Sequence, residues 1–403
     1  MTRTAGARAP AASACATNTP FQSIALLLQG GGALGAYQAG VYEALAEHGI
    51  EPTWIAGISI GAINSAIIAG NPAGERVAKL REFWESVTTG SAIWGGWLPH
   101  TPLAVSLRAA VNQLSAGEVL ARGVPGFFSP RLLPPPLQPS GTPGATSWYD
   151  TGTLRNTLKH LVDFDRINRR EMRLSIGAVN VRTGNFAYFD NASDRIGPEH
   201  VMASGALPPG FPAVEIDGEH YWDGGMVSNT PLDWVLSAPS ELDTLVFQVD
   251  LWSAEGALPG DLMSVAVRMK EIQYSSRTRA ATDEFRAKQR LRAAFHVLQR
   301  QLPESLRDTP EAKTLAEIAD PARYNIVQLI YRSPTYEGQS KDYEFSRRTM
   351  EEHWRSGYDN ALTTLAHPEV MTLPDDPGGV ATYDFLHPSR ARAASAKSEK
   401  EAT

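Results

Sequence analysis

Two stretches decide the fold of this chain: residues 24–35, IALLLQGGGALG, and residues 54–61, WIAGISIG. Each opens on a short apolar run that predicts a buried strand, and each continues through a glycine-flanked turn. The first turn leads into a helical pattern over residues 36–48, and the second leads into a small-residue helix over residues 62–69. A repeated strand–turn–helix unit is typical of a parallel sheet covered by helices. We therefore predict an α/β fold, a three-layer α/β/α sandwich around a mostly parallel central sheet.

Composition changes along the chain and predicts several segments. Residues 245–249 predict a further buried strand, whereas residues 263–302 and 345–365 predict helices. One aromatic and proline-rich stretch is longer than ordinary connections, which is typical of lids, binding loops or inserts. The predicted organisation is a disordered tail over 1–20, an α/β domain over 21–253 with a lid-like insert over 91–147, a mainly helical C-terminal extension over 254–387, and a disordered tail over 388–403.

Charge and cysteine content exclude several classes of protein. The 403 residues include 37 basic and 44 acidic side chains, a net charge of −7, which argues against a nucleic-acid partner. Cys15 is the single cysteine, so no intrachain disulfide can form. The sequence shows no convincing leader, no apolar run long enough to span a bilayer and no metal-ligand spacing. We predict a cytoplasmic protein without a metal or cofactor, and the sequence carries no prediction of its oligomeric state.

The second turn, Gly57-Ile58-Ser59-Ile60-Gly61, has the pattern G-x-S-x-G between a strand and a helix. That context is typical of a nucleophile elbow. Gly57 and Gly61 relieve crowding around a strained central residue. The hydroxyl of Ser59 is then expected near the positive end of the following helix, which favours developing negative charge. The pattern predicts Ser59 as a nucleophile.

The first turn, Gly30-Gly31-Gly32-Ala33-Leu34-Gly35, allows two functional interpretations and a purely structural one. Its G-x-G-x-x-G spacing matches a dinucleotide-binding loop, which requires an acidic residue at the end of the second strand. Glu51 precedes that strand instead. The alternative is an oxyanion hole, in which the free backbone N–H groups of consecutive glycines at a helix N-terminus hold a developing negative charge. This interpretation is favoured over a dinucleotide site and over a structural glycine turn.

A base for Ser59 is the remaining requirement. The sequence holds 9 histidines, and none lies in a motif that marks it as a base. Asp223 follows the strand-like segment EHYW and precedes Gly224 and Gly225, which places it at a strand end where the backbone turns. An aspartate–glycine pair is usually only a turn, but its presence beside the other two clusters makes Asp223 a candidate base.

The three clusters, in this order, resemble the patatin-like phospholipases. The family pattern is a glycine-rich oxyanion loop, a G-x-S-x-G elbow and a later aspartate–glycine pair followed by alanine or glycine. The similarity continues through residues 201–231 and covers about residues 24–249. It implies a patatin-like fold and a Ser–Asp dyad in which Asp223 takes the proton of Ser59 directly.

The resemblance also implies the chemistry and the partners. Lipid or acyl esters would be the substrates. The oxyanion loop would contain Gly30, Gly31, Gly32, Ala33 and Gly35, with backbone N–H groups around Gly31, Gly32 and Ala33 holding the oxyanion. The arginine-rich helix predicted over residues 263–302 allows transient contact with an anionic membrane surface, although a solvated helix face is favoured. Many members carry arginine or lysine where this chain has Leu34, so no preference for a phospholipid headgroup is implied. The region after residue 254 resembles the extra C-terminal region of some bacterial patatin-like proteins.

Three alternatives remain open at this point. The aromatic side chains of the 91–147 insert form either a lid with an acyl site or a peripheral core. An α/β-hydrolase with a Ser–Asp–His triad would use Ser59 and a late histidine such as His387. A nucleotide-binding or scaffold protein would carry the same motifs without catalysis.

Overall fold

The computed structural model describes residues 19–88, 102–237, 242–334, 337–338, 340–376 and 378–386. The predicted terminal tails lie almost entirely outside these residues, as do Trp94, Trp97 and His387. No helix in the described ranges is both long enough and apolar enough to cross a membrane.

The strands alternate with helices along the first two thirds of the chain. The strands are β1 (Ser23–Leu28), β2 (Trp54–Ile58), β3 (Ser129–Pro130), β4 (Tyr149–Asp150), β5 (Arg173–Asn180), β6 (Phe186–Asp190), β7 (Val214–Ile216), β8 (Glu219–Asp223), β9 (Thr244–Asp250), β10 (Tyr324–Ile330) and β11 (Val380–Tyr383). The helices are α1 (Ala36–Glu47), α2 (Ile60–Ala69), α3 (Arg76–Ser86), α4 (Pro102–Arg122), α5 (Gly152–Leu161), α6 (Phe164–Asn168), α7 (Pro198–Ser204), α8 (Leu232–Leu236), α9 (Leu262–Gln301), α10 (Glu304–Arg307), α11 (Pro310–Ile318) and α12 (Arg347–Leu365).

The central sheet has nine strands, and most of its pairings are parallel. Strands β11, β10, β9, β1, β2 and β5 are neighbours in that order and run parallel. Strands β6, β7 and β8 add antiparallel pairings at the β5 edge. The predicted fold class is confirmed, because the sheet is mostly parallel and helices flank it.

Alternation of side chains along β1 explains the layers. Ile24, Leu26 and Leu28 point into a core shared with α1, α2 and α12, whereas Ala25 and Leu27 point into a second core shared with α8 and α9. Successive side chains of a strand face opposite sides of the sheet, so a run of apolar residues buries both faces.

The C-terminal region is not only helical. It contributes β10 and β11, which the sequence analysis did not predict, and β10 pairs in parallel with β9. It also covers α1 with α12, where the two helix backbones approach closely. A Cβ atom at Gly40 would lie 1.9 Å from the carbonyl oxygen of Trp354, and one at Gly357 would lie 2.0 Å from that of Tyr37.

The insert after α3 packs in part against the main core. Phe127 and Phe128 are buried, and Phe211 contacts both at centroid distances of 6.0 and 5.1 Å. Phe345 of the C-terminal region completes this aromatic cluster. For these two phenylalanines the structure therefore favours the peripheral-core interpretation.

Strands β2 and β8 meet end to end along one edge of β5. Residues 175–177 of β5 pair with both β2 and β6, and residues 178–179 pair with both β6 and β8. A residue has one neighbour on each edge, so β2 and β8 share the edge opposite β6. Ile58, the last residue of β2, faces Gly177, and Asp223, the last of β8, faces Ala178.

The close crossing of α1 and α12 gives a stability prediction. Gly357→Ala is expected to destabilise the protein by about 1–3 kcal/mol, because the new methyl group would push the two backbones apart. Gly117→Ala is the matched control, since Gly117 also lies within a helix but no atom surrounds its Cβ position within 4 Å. That control is expected to raise stability by up to about 1 kcal/mol. Urea unfolding measures both, and equal stability of the two variants would contradict the close packing.

Candidate active site

Ser59 occupies a sharp turn between β2 and α2. Its backbone angles, φ 56° and ψ −124°, lie in a region that non-glycine residues rarely adopt and that costs about 1–3 kcal/mol. A Cβ atom at Gly57 would lie 2.3 Å from the carbonyl oxygen of Gly61, and one at Gly61 would lie 2.2 Å from that of Leu28. The turn is therefore possible only with glycine at both positions, and it leaves Ser59 partly exposed.

Ser204, at the end of α7, holds this turn in place. The backbone N–H of Ser59 donates to the Ser204 hydroxyl oxygen at 2.9 Å, and the hydroxyl donates to the Gly177 carbonyl at 2.6 Å. Ser204 is fully buried. The sequence analysis did not single it out, although it lies within the 201–231 segment that carries part of the family resemblance.

Asp223 lies directly beside Ser59 because β2 and β8 end at the same place. The Ser59 hydroxyl lies beside the Asp223 carboxylate and acts to lower the pKa of that carboxyl group. The N–H of Gly225 donates to the same carboxylate at 2.7 Å, and the N–H of Asp223 donates to the carbonyl of Ala206 at 3.0 Å. The segment from Ser204 to Ala206 therefore holds both the serine and the aspartate.

The environment of Asp223 favours its protonated form. Its carboxyl group is buried, and burial raises its pKa from 3.8 to about 6, while the neighbouring Ser59 hydroxyl and the Gly225 N–H oppose the shift. Gly224 allows the close approach of this turn to β5, since a Cβ atom there would lie 2.7 Å from the Gly177 carbonyl oxygen.

The glycine loop passes over the elbow. The Cβ position of Gly30 lies 3.1 Å from the Cβ atom of Ser59. The Gly30 carbonyl accepts hydrogen bonds from Asn229 Nδ2 and Trp252 Nε1, both at 2.9 Å. Because the carbonyl and the next N–H of a trans peptide point in opposite directions, the N–H of Gly31 points away from these two donors.

Ala33 does not match its predicted place in the oxyanion loop. Its N–H donates to the Asp342 carbonyl at 2.8 Å, so this N–H is already committed to the C-terminal region. The N–H groups of Gly31 and Gly32 donate to no acceptor in the part of the chain that the structure describes. Gly32 has φ +56°, and its Cβ position lies 2.0 Å from the Asp342 carbonyl oxygen. Only glycine fits there.

Gly35 has a packing role. Ile60 and Trp84 side-chain atoms lie 2.5 and 2.9 Å from its Cβ position, so a side chain has no room. Its carbonyl accepts a hydrogen bond from Asn64 Nδ2 at 3.0 Å. This contact ties the end of the loop to α2, the helix that follows Ser59.

Gln29, just before the loop, is a fully buried hydrogen-bonding centre that the sequence analysis missed. Its side-chain oxygen accepts from the N–H groups of Leu251 and Trp252 at 2.6 and 3.1 Å. Its amide nitrogen donates to Thr230 Oγ1 and to the Tyr274 carbonyl at 3.0 and 3.2 Å. A buried glutamine with all partners present fixes the segments that it joins.

The alternative sites receive no support from the described residues. No histidine in the described ranges hydrogen-bonds to Ser59 or Asp223, and His387 lies outside those ranges. Glu51 pairs with Arg76 and precedes β2, at the opposite end of the parallel strands from the glycine loop, so it cannot reach a ribose held there. The described ranges contain no group of three or more potential metal ligands.

Comparisons with known proteins identify the family of this chain. A family model described as patatin-like phospholipase matches residues 26–236, and one described as patatin phospholipase matches residues 272–376. The chain belongs to the patatin-like phospholipase family, a family of lipid acyl hydrolases, as the sequence resemblance predicted. No curated protein matches the chain. Among solved structures, VipD from Legionella pneumophila is similar at 14% identity, over 94% of this chain and 74% of that chain, with a TM-score of 0.38.

Removing the Ser204 hydroxyl tests its role as the support of the elbow. Ser204→Ala leaves the Ser59 N–H without its acceptor, and such a loss costs about 1–3 kcal/mol. We expect a lower midpoint of unfolding together with slower ester hydrolysis. Ser193→Ala is the control, because that hydroxyl also bonds a backbone carbonyl, at 3.3 Å, but lies away from the elbow. Unchanged stability and activity in Ser204→Ala would show that the elbow does not depend on this bond.

Proposed function

We propose that this protein is a serine hydrolase that cleaves carboxylic esters of lipids, with Ser59 as nucleophile and Asp223 as general base. One observation carries the proposal: the Ser59 hydroxyl lies beside the buried Asp223 carboxylate and close to a glycine loop with two uncommitted N–H groups. Nucleophile, base and oxyanion donors are the three groups that acyl transfer requires. The family supplies the substrate class, lipid esters.

The first half-reaction forms an acyl-enzyme. Ser59 Oγ attacks the ester carbonyl carbon, and its proton passes to the Asp223 carboxylate. The N–H groups of Gly31 and Gly32 stabilise the oxyanion of the tetrahedral intermediate. Removal of one such donor from a hydrolase typically costs a factor of about 10²–10³ in kcat. The intermediate collapses, the carbon–oxygen bond of the leaving alcohol breaks, and Asp223 returns the proton to that alcohol.

The second half-reaction repeats the same chemistry with water. Asp223 takes a proton from the attacking water, the oxyanion forms again in the loop, and the carboxylic acid leaves as Ser59 recovers its proton. A pKa of about 6 suits this role. It leaves the carboxylate ionised at neutral pH but makes it a better base than an ordinary aspartate.

The nucleophile is tested with p-nitrophenyl esters from short to long acyl chains. Ser59→Ala is expected to reduce turnover by about 10⁴-fold or to background, because no other group supplies the attacking oxygen. Ser65→Ala is the matched control, since Ser65 is a buried serine of the adjoining helix whose hydroxyl has no partner. Full activity in Ser59→Ala, or equal loss in both variants, would overturn the assignment. If Ser59→Ala alone loses activity, the acyl chain length that gives the highest turnover in the wild type indicates the size of the acyl site.

The base is tested by the pH dependence of kcat/KM. Activity should fall below about pH 6, where Asp223 becomes protonated, and Asp223→Asn should lose about 10²–10⁴-fold. Asp250→Asn is the control, because Asp250 is equally buried and has a pKa raised to about 7. That variant is expected to keep most of its activity and the acidic limb near pH 6. If the fall in kcat/KM below about pH 6 disappears in Asp250→Asn, the titration of Asp223 is not its cause.

The same carboxylate predicts an effect on stability. The folded state binds a proton on Asp223 that the unfolded state releases between about pH 4 and pH 6. The wild type is therefore expected to lose stability as the pH rises through this window. Asp223→Asn removes the buried charge, so it should unfold at a higher temperature than wild type at pH 8 while remaining inactive. A lower unfolding temperature would show that the charge is stabilised rather than strained.

A further inference from the structure

We propose that the C-terminal region is part of the catalytic machinery: residues 340–345, which we call the clasp, hold the oxyanion loop in its working conformation, and Lys270 and Asp342 are positioning residues for this loop. The inference rests on the proposed function. It assigns a role to a region in which the sequence revealed no motif.

The clasp contacts the oxyanion loop at Ala33, and this contact determines which backbone N–H groups of the loop remain available to an oxyanion. The Asp342 carbonyl accepts the N–H of Ala33 at 2.8 Å. The same oxygen lies 2.0 Å from the position that a Cβ atom at Gly32 would occupy, so any side chain there would clash with it. Gly32 has a left-handed backbone with φ +56°, whereas Gly31 before it is extended with φ 174°, so the loop turns around the clasp carbonyl. With Ala33 engaged, Gly31 and Gly32 are the donors that remain.

Two oppositely charged pairs attach the clasp to α9. Lys270 Nζ lies 2.9 Å from both carboxylate oxygens of Asp342. The next residue of α9, Glu271, accepts a hydrogen bond at 2.8 Å from Lys341, which precedes Asp342. Lys341 is almost fully buried and also donates to Ser333 Oγ at 2.8 Å. Neighbouring residues on the helix thus bind neighbouring residues of the clasp with alternating charge, which fixes the register between them.

The helix that holds the clasp is itself fixed to the strand that carries the loop. The carbonyl of Tyr274, one turn after Lys270, accepts a hydrogen bond from Gln29 at 3.2 Å. The Tyr274 ring packs on Trp252 at a centroid distance of 5.2 Å, and Trp252 donates to the Gly30 carbonyl. At its other end the clasp is buried through Phe345, which stacks on Trp84. The loop is therefore held on both sides, by Trp252 at Gly30 and by the clasp at Ala33.

The catalytic consequence follows from the geometry that oxyanion donors need. Donors act when they lie within about 2.7–3.1 Å of the developing oxyanion, and a misplacement of about 1 Å can cost a factor of about 10². Loosening of the clasp would leave the substrate site intact but move the Gly31 and Gly32 N–H groups. The loss should therefore appear in kcat and not in KM.

The experiment compares Lys270→Met with Lys270→Arg in the full-length chain. The methionine variant removes the charge and keeps the aliphatic length, whereas arginine retains the ion pair. Arg323→Met is the matched control, because Arg323 pairs with Asp243 at the same 2.9 Å distance, at the opposite end of β10 from the site. Two quantities are measured: kcat and KM for a p-nitrophenyl ester, and hydrogen–deuterium exchange of the peptide that spans residues 29–36.

We expect Lys270→Met to lower kcat about tenfold with little change in KM, and to speed amide exchange in the 29–36 peptide. Lys270→Arg should restore both quantities, and Arg323→Met should change neither. The proposal would be overturned if Lys270→Met kept both the wild-type kcat and the wild-type rate of amide exchange. It would also be overturned if Arg323→Met changed both quantities as much as Lys270→Met does. If Lys270→Met does not fold, Asp342→Asn is the substitute, since it keeps the side-chain size and removes the charge.

The exchange measurement separates this inference from the proposed function. Exchange needs no turnover, and it can be repeated in a Ser59→Ala background. If the wild type hydrolyses no ester but Lys270→Met still speeds amide exchange in the 29–36 peptide, the proposed hydrolase function is refuted and the structural link between clasp and loop stands. Active enzyme whose loop exchange does not respond to Lys270 would refute the clasp alone.

Discussion

The side chain of Gln29 is the constraint on which the rest of the site depends. This side chain is fully buried. Its amide group forms hydrogen bonds with Leu251 and Trp252 after β9, with Thr230 after β8 and with Tyr274 in α9. A buried amide is costly unless its polar atoms are paired, so this arrangement fixes all of its partners together. The glycine loop begins at the next residue. Its position is therefore set by contacts that lie 200 or more residues away along the chain.

A second constraint brings the side chains of Ser59 and Asp223 together. Strands β2 and β8 run toward each other along one edge of β5 and end at neighbouring positions, Gly177 and Ala178. The residue after β2 is Ser59 and the last residue of β8 is Asp223, so the hydroxyl and carboxylate meet without any flexible connection. Ser204 and the backbone that follows it bind both strand ends. In the proposed reaction, such preorganisation would keep the two groups in place before substrate arrives.

The site is assembled from features that are unfavourable for folding by themselves. Ser59 has a positive φ, Asp223 is a buried carboxyl group, and two N–H groups of the loop have no protein partner in the described chain. Strain of this type persists only where the surrounding structure determines it. The surrounding structure here includes the C-terminal region, whose strand β10 extends the sheet and whose helix α12 covers α1. That region is therefore integral to the α/β layer structure and not an appended module.

The sequence by itself determined the fold class and the family, and it predicted that Ser59 lies in a sharp turn between a strand and a helix and that Asp223 lies at a strand end. Buried parallel strands are continuous apolar runs, and sharp turns need glycine within a few residues. Both features are therefore visible as short patterns in the sequence. Ser204, Trp252 and Asp342 left no such pattern, because each contacts the site through residues that lie far away in the sequence. The sequence also treated the N–H groups of Gly31, Gly32 and Ala33 as equivalent. Only the tertiary structure decided among them, because the carbonyl that engages Ala33 belongs to a segment of the C-terminal region that folding brings against the loop.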